Sequence, residues 1–370
     1  MSARSTLLAG STRPASDRKG RGATANPDGR YEAARYEIVD DGWHLDEGPR
    51  PIRTEVRAER AKSIISRNSS PDISFDRSIN PYRGCEHGCV YCFARPNHAY
   101  VGLSPGLDFE TKLFTKPDAA RLLEQELSAP GYSPATIALG TATDPYQPIE
   151  RTHRLTRAVL EILAKFRHPV GIVTKSNLVT RDIDILAGMA ADRIVKVAMS
   201  VATLDPALAR KMDPRAPHPE RRLDAIAKLS AAGIPVMVIV APIIPSLNDH
   251  EIEEILGRAR QAGASEANTV LLRLPHELDD LVGDWLGEHY PGRREHVLSL
   301  VRQARGGKLY DAAYGQRMTG AGHYAELLRH RVRLAKQRLG YVRERIILET
   351  GSFAVPPRPG DQLSLFGEAP

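Results

Sequence analysis

Cysteine is scarce in this chain, with three among 370 residues. An odd and tiny set excludes a disulfide framework, because one thiol is always left over and small secreted scaffolds spread many cysteines along the chain. Long apolar runs are also missing. The best candidate, residues 234–244, is interrupted by Pro235 and Pro242 and falls well short of the roughly 20 apolar residues that a membrane helix needs. The N-terminus has no apolar core of a secretory signal; it carries Arg4, Arg13, Arg18, Lys19 and Arg21 instead. Together these lead us to expect a reducing, cytoplasmic compartment and no membrane. Neither sign of charge dominates. Lys and Arg number 51 against 45 Asp and Glu, so the net charge of +6 is mild. Its distribution says more, since positive charge gathers in the N-terminal stretch and again between Arg317 and Arg345.

All three cysteines fall in one short run, Asn80-Pro81-Tyr82-Arg83-Gly84-Cys85-Glu86-His87-Gly88-Cys89-Val90-Tyr91-Cys92-Phe93-Ala94-Arg95. Thiolates bunched so tightly, with none spent elsewhere, indicate a metal site. A tetrahedral zinc or a four-iron cluster has four positions to fill, so three thiolates leave one open. A zinc site completed by His87 or His98 is an alternative at this point. Gly84 and Gly88 allow the tight turns that bring three thiols together.

The length suits one large domain with appendages or two modest ones. Residues 1–50 read as a disordered, basic arm, 51–77 as a lead-in, 78–280 as the core, 281–350 as a helical basic extension and 351–370 as a flexible tail. Within the core, apolar and β-branched runs at 136–139, 170–174, 195–201, 236–240 and 269–272 alternate with helical patterns. Those patterns lie at 118–127, 155–166, 181–190, 219–232 and 249–262. Asp118 is placed to cap one helix, and Gly233 before Pro235 stops another. This alternation predicts βαβ units, about six, with the first strand leading into the cysteine loop. In parallel α/β folds, functional groups collect beyond the C-terminal ends of strands. Here those ends carry the cysteine loop, the loop 140–150, Thr174-Lys175-Ser176-Asn177, Ser200, Ala241-Pro242 and Arg273.

The spacing C-x3-C-x2-C, with Tyr91 just before the third cysteine and Phe93 just after, resembles the cluster loop of the radical S-adenosylmethionine superfamily. The resemblance implies a partial (β/α)6 TIM-like barrel. It implies a [4Fe-4S] cluster held by Cys85, Cys89 and Cys92, with S-adenosylmethionine on the fourth iron. Electron transfer would then cleave the sulfonium to a 5′-deoxyadenosyl radical that abstracts hydrogen. The segments Val173-Thr174-Lys175, Asp213-Pro214-Arg215, Arg222-Leu223-Asp224-Ala225-Ile226 and Val240-Ala241-Pro242-Ile243-Ile244 resemble the spore photoproduct lyase branch. By that likeness Lys175 and Ser200 contact the cosubstrate, Arg215 pairs with its carboxylate, and Tyr91 lies near the adenine. Two departures stand out. The branch uses a further cysteine to return hydrogen to the product, and this chain has no fourth. The branch also tends to carry tyrosine on both sides of the third cysteine, where this chain has Phe93. Tyr146 is therefore the candidate donor, or else its loop only joins strand to helix.

Two features lie outside the core. Gln362-Leu363-Ser364-Leu365-Phe366 resembles the peptide by which bacterial repair proteins dock on the replication sliding clamp, with Gln362, Leu363, Leu365 and Phe366 as anchors. On the helical pattern 324–342, Leu328, Val332, Ala335 and Leu339 form one stripe and Arg329, Arg333 and Lys336 another, suited to phosphates. The expected function is radical chemistry on a damaged nucleobase in DNA, with electrons from a flavodoxin or ferredoxin. The same chemistry on RNA, protein or a small metabolite is the first alternative, and a zinc-stabilised, non-catalytic nucleic-acid-binding protein the second.

Overall fold

The computed structural model describes residues 18–31, 52–342 and 344–357. Ten strands are present among them: β1 (Glu55–Ala58), β2 (Ile65–Arg67), β3 (Arg77–Ile79), β4 (Tyr82–Arg83), β5 (Lys112–Thr115), β6 (Ile137–Leu139), β7 (Val170–Thr174), β8 (Val195–Ser200), β9 (Val236–Ile243) and β10 (Glu266–Leu271). The main sheet has the order β10-β9-β8-β7-β6-β3-β2. Six neighbours, β3 and β6 to β10, run parallel, and β2 adds an antiparallel edge. These are the six parallel strands that the alternation implied, in the partial barrel that the resemblance implied. All six C-terminal ends therefore open on one side.

The strands form here because their alternate apolar residues pack away from water, while the residues between them in β7 are half-buried. Ile137, Leu139, Val197, Met199, Val238 and Val240 are all at most 1% exposed. Helices Ala119–Leu127, Leu155–Lys165, Ile183–Ala191, Pro219–Ala231 and Ile252–Gln261 are each turned by their apolar stripe toward that sheet, for example Val159, Leu160 and Leu163. Pro219 stands at the first helical turn of its helix with His218 as cap, and Gly233 follows its end in the left-handed region (φ +76°). Asp118 occupies the cap position of helix Ala119–Leu127 but makes no side-chain capping bond, contrary to expectation.

Short exposed strands left no periodic signal. A second sheet, β1-β5-β4, sits over the cysteine loop, with β1 exposed at every residue. A larger correction concerns the expected N-terminal arm. Residues 18–31 are packed onto the body: Arg21, Gly22, Ala23, Thr24 and Ala25 are buried. Gly22 lies so close to the cysteine loop that a Cβ there would meet the Gly88 carbonyl oxygen at 1.8 Å. The C-terminal helices Leu278–His289 and Arg294–Gln303 carry Trp285, Leu286, Val297 and Val301 into a second core that includes Cys89, Val90 and Tyr91. Helix Gly322–Arg338 docks on the main core through Leu328 and Ala335, with Val332 and Leu339 partly buried beside them.

Between the last two helices, the segment around residues 309–319 reaches across the open side of the barrel. Leu271 of β10 donates to the Met318 carbonyl at 2.9 Å. Arg317 pairs at 2.5 Å with Asp72, in the turn between β2 and β3. This strap joins the two edges of the main sheet.

Candidate active site

The cysteine loop leaves β3 and is held by buried polar groups on every side. Gly84 and Gly88 take left-handed backbone (φ +73° and +68°), and a Cβ on either would collide with neighbours closer than 3 Å. Gln147, fully buried, clamps the loop's backbone, accepting from Glu86 N at 2.9 Å and donating to the Gly84 carbonyl at 3.1 Å. Val90 N donates to the Met212 carbonyl at 3.1 Å, tying the loop to the segment after β8. Arg95, fully buried, donates to the carbonyls of Gly88 and Cys89 at 3.1 and 2.8 Å. Its charge is met by Glu110 at 2.5 Å, also fully buried. Glu110 in turn accepts the backbone N–H groups of Gly22 and Ala23 at 2.9 and 2.7 Å, so the N-terminal segment closes the same network.

Within this frame Cys85 and Cys89 are buried and Cys92 is half-buried. Burial, then Asp213, push the Cys89 thiol well up, and Cys92 and Cys85 add to the rise. Burial and Cys85 raise Cys92. Three soft thiol donors gathered in one loop suit the ligand chemistry of an iron–sulfur cluster. Each histidine of the zinc alternative has one ring nitrogen beside an oxygen acceptor. The His87 ring lies 3.3 Å from Asp144, and His98 donates to the Lys112 carbonyl at 3.0 Å.

Opposite the loop, the ends of β7 and β8 bring together Lys175 and Ser200, with Nζ 3.3 Å from Oγ. The ammonium lies 5.5 Å from the ring centre of Tyr91. Burial opposes the charged form of Lys175, but Cys89 and Asp213 raise its pKa on balance. The Tyr91 hydroxyl donates to Asp213, whose other oxygen accepts from the buried Arg222 at 3.0 Å. Asp144 orders the end of β7: it accepts from Thr174 Oγ1 and Lys175 N, each at 2.7 Å. Burial pushes the Asp144 carboxyl up, yet His87 and these donors hold it at about 2. Cys89, Tyr91, Lys175 and Ser200 are thus neighbours at the strand ends.

Other expectations fall elsewhere. Arg215 turns to Glu86 at 2.5 Å and to the Gly20 carbonyl at 3.2 Å, so it serves the packing of the N-terminal segment. Tyr146 is fully buried and its hydroxyl donates to Asp182 at 3.0 Å, on the helix side of the sheet. It is not brought to that group of residues, which removes it as hydrogen donor; in its loop, Asp144 and Gln147 are the residues that serve the site. On helix Gly322–Arg338, Lys336 and Arg329 donate to the carbonyls of Ala267 and Gly320 at 2.7 and 2.9 Å, and Arg333 meets His330 at 2.8 Å. They nevertheless line one groove with Thr269, Gln337 and Val342. Gln362, Leu363, Leu365 and Phe366 lie outside the described residues.

Six parallel strands that bring a loop of three cysteines, a lysine, a serine and a tyrosine to one face define an α/β partial barrel with a cysteine loop at its strand ends. The family model for the Radical SAM superfamily matches residues 79–259. An uncharacterised protein of Mycobacterium tuberculosis is 34% identical over 327 residues, which cover 83% of this chain and 92% of that one. The chain belongs to the radical SAM superfamily. It is a radical SAM enzyme, and its cofactors are a [4Fe-4S] cluster and S-adenosylmethionine. When bound, the cluster supplies the electron that breaks a carbon–sulfur bond of S-adenosylmethionine. A radical SAM Nalpha-GlyT isomerase of Pseudomonas phage M6 is 24% identical over 212 residues, covering 57% of this chain and 39% of that one. Among solved structures, spore photoproduct lyase complexed with dinucleoside spore photoproduct aligns with a TM-score of 0.55 at 16% identity, over 77% of this chain and 79% of that one. A mutant of that lyase with bound AdoMet and the same dinucleoside aligns at 0.53. These structures share the fold. Among the described residues, no helix is long and apolar enough to cross a membrane.

Proposed function

We propose that this enzyme acts on a damaged nucleobase in DNA, with Cys85, Cys89 and Cys92 holding the cluster and Lys175, Ser200 and Tyr91 lining the cosubstrate cleft. The observation that carries the substrate is the shared fold with a lyase solved with a dinucleoside photoproduct, over more than three quarters of each chain. The groove lined by Arg329, Arg333 and Lys336 supports it as a track for phosphates. The reductant is a flavodoxin or ferredoxin, and residues 362–366 dock on the sliding clamp, which places the enzyme at replicating DNA in the cytoplasm. Hydrogen return differs from the lyase branch, because the chain has no fourth cysteine and Tyr146 is sealed in the core.

Binding of irradiated and unirradiated oligonucleotides over a range of salt tests this reading. The expected result is a clear preference for irradiated DNA and a log–log salt slope of several units. Equal affinity for the two removes the lesion; no affinity for either removes DNA and leaves radical chemistry on RNA, protein or a small metabolite. Clamp binding that survives deletion of residues 362–366 removes the docking peptide.

A further inference from the structure

The rim of the barrel beside Cys92 carries groups that the cluster and its cosubstrate cleft do not use. Arg273 follows β10, the last parallel strand. Its guanidinium lies 5.1 Å from the ring centre of Phe93, the residue after Cys92, and 5.9 Å from that of Tyr310 on the strap. It also meets the Tyr310 hydroxyl at 3.3 Å and the Met318 sulfur at 3.4 Å, with the like charge of Arg305 nearby. Its Nε is buried with no hydrogen-bond partner. Among the described residues, no carboxylate stands within ion-pair distance of it. A half-buried arginine without a counter-charge is unfavourable unless an anion completes it.

The strap carries a second arginine beside a ring, though the charge of Arg317 is met by Asp72. Arg317 lies 5.0 Å from the ring centre of Tyr314, which is 59% exposed, and Phe93 is 50% exposed. Exposed rings interleaved with arginines suit a single nucleic-acid strand: the guanidinium fork takes a phosphate while rings stack bases that are out of the duplex. A small carboxylate would occupy the fork but leave the line of rings without purpose.

We propose that Arg273, Phe93 and Tyr310 form the subsite that holds an unpaired nucleobase and its flanking phosphate beside Cys92, with Tyr314 stacking the next base along the strap. The assignment rests on the nucleic-acid reading above and adds to it where the base is held and that it is held out of the duplex. It also gives Phe93 a task that needs no hydroxyl.

The test is fluorescence anisotropy of a labelled single-stranded oligothymidine on the full-length, cluster-reconstituted protein, with S-adenosylmethionine affinity measured by calorimetry on the same samples. Arg273→Gln is expected to weaken oligonucleotide binding about tenfold and to lower the salt slope by about 0.7. Phe93→Ala is expected to weaken it about fivefold or more with the salt slope kept, and Arg273→Lys to keep the slope at reduced affinity. S-adenosylmethionine affinity should stay within about twofold, which also shows that the variants are folded. Oligonucleotide binding unchanged in Arg273→Gln overturns the subsite, as does a parallel loss of S-adenosylmethionine affinity, which would assign Arg273 to the cosubstrate. If Arg329→Gln/Arg333→Gln loses the oligonucleotide while Arg273→Gln keeps it, the nucleic-acid reading stands and this subsite falls. No binding by the unsubstituted protein overturns both.

Discussion

The floor and the rim of this barrel end are built on opposite principles. On the floor, the buried charges beside the cysteine loop are paired and its backbone is held: Arg95 with Glu110, Asp213 with Arg222 and Tyr91, and Gln147 with the loop backbone. On the rim, Arg273 has no counter-ion among the described residues, and Phe93 and Tyr314 face solvent. A network of paired buried charges fixes one geometry, and that is what a cluster-holding loop requires. An incomplete one waits for a ligand. The difference teaches that one barrel end can hold a fixed loop beside an uncompensated surface, and it is the second that our proposal assigns to the substrate.

The strongest way to break this contrast is at the thiols. Cys89→Ala should abolish the cluster's visible absorbance after anaerobic reconstitution and all 5′-deoxyadenosine formation; a variant that keeps either would dissociate the loop from the chemistry. Next is the ion pair beneath it. Glu110→Gln leaves Arg95 buried and uncompensated, at a cost of about 3–5 kcal/mol in chemical denaturation. It should also speed iron loss to a chelator and expose residues 18–31 to proteolysis. A variant that matches the parent in all three would mean the N-terminal segment does not hold the loop. Gln147→Leu strands the Glu86 N–H and the Gly84 carbonyl, for about 2–4 kcal/mol. Smallest is the rim. Tyr314→Ala should change stability by less than about 0.5 kcal/mol, and a cost as large as the floor's would show the rim to be structural.

The metal loop was legible because its signal is local: three thiols, two glycines and one strand within a few residues of each other. The six strands were legible for the same reason, since most of them write themselves as short apolar and β-branched runs. The network around the loop was not, because its partners are remote in sequence. Tyr91 and Asp213 are 122 positions apart, and Arg21 and Glu110 are 89 apart. One clue was present. Arg222 sits on the buried side of helix Pro219–Ala231 with Leu223, Ile226 and Leu229, a place where a charge must have a buried partner. Arg215 was misread because a guanidinium near the site fits a carboxylate on the cosubstrate as well as one on Glu86. The N-terminal segment was misread because its glycines and arginines, which resemble those of a loose arm, are there for close approach to Gly88 and for hydrogen bonds to backbone carbonyls.

The most direct test of the whole account is anaerobic turnover with dithionite, S-adenosylmethionine and ultraviolet-irradiated DNA, following 5′-deoxyadenosine and the photoproduct content of the DNA together. The account predicts 5′-deoxyadenosine above the DNA-free background, rising as a photoproduct disappears. Formation that is the same with irradiated DNA, unirradiated DNA and no DNA, with the photoproducts left intact, would contradict it.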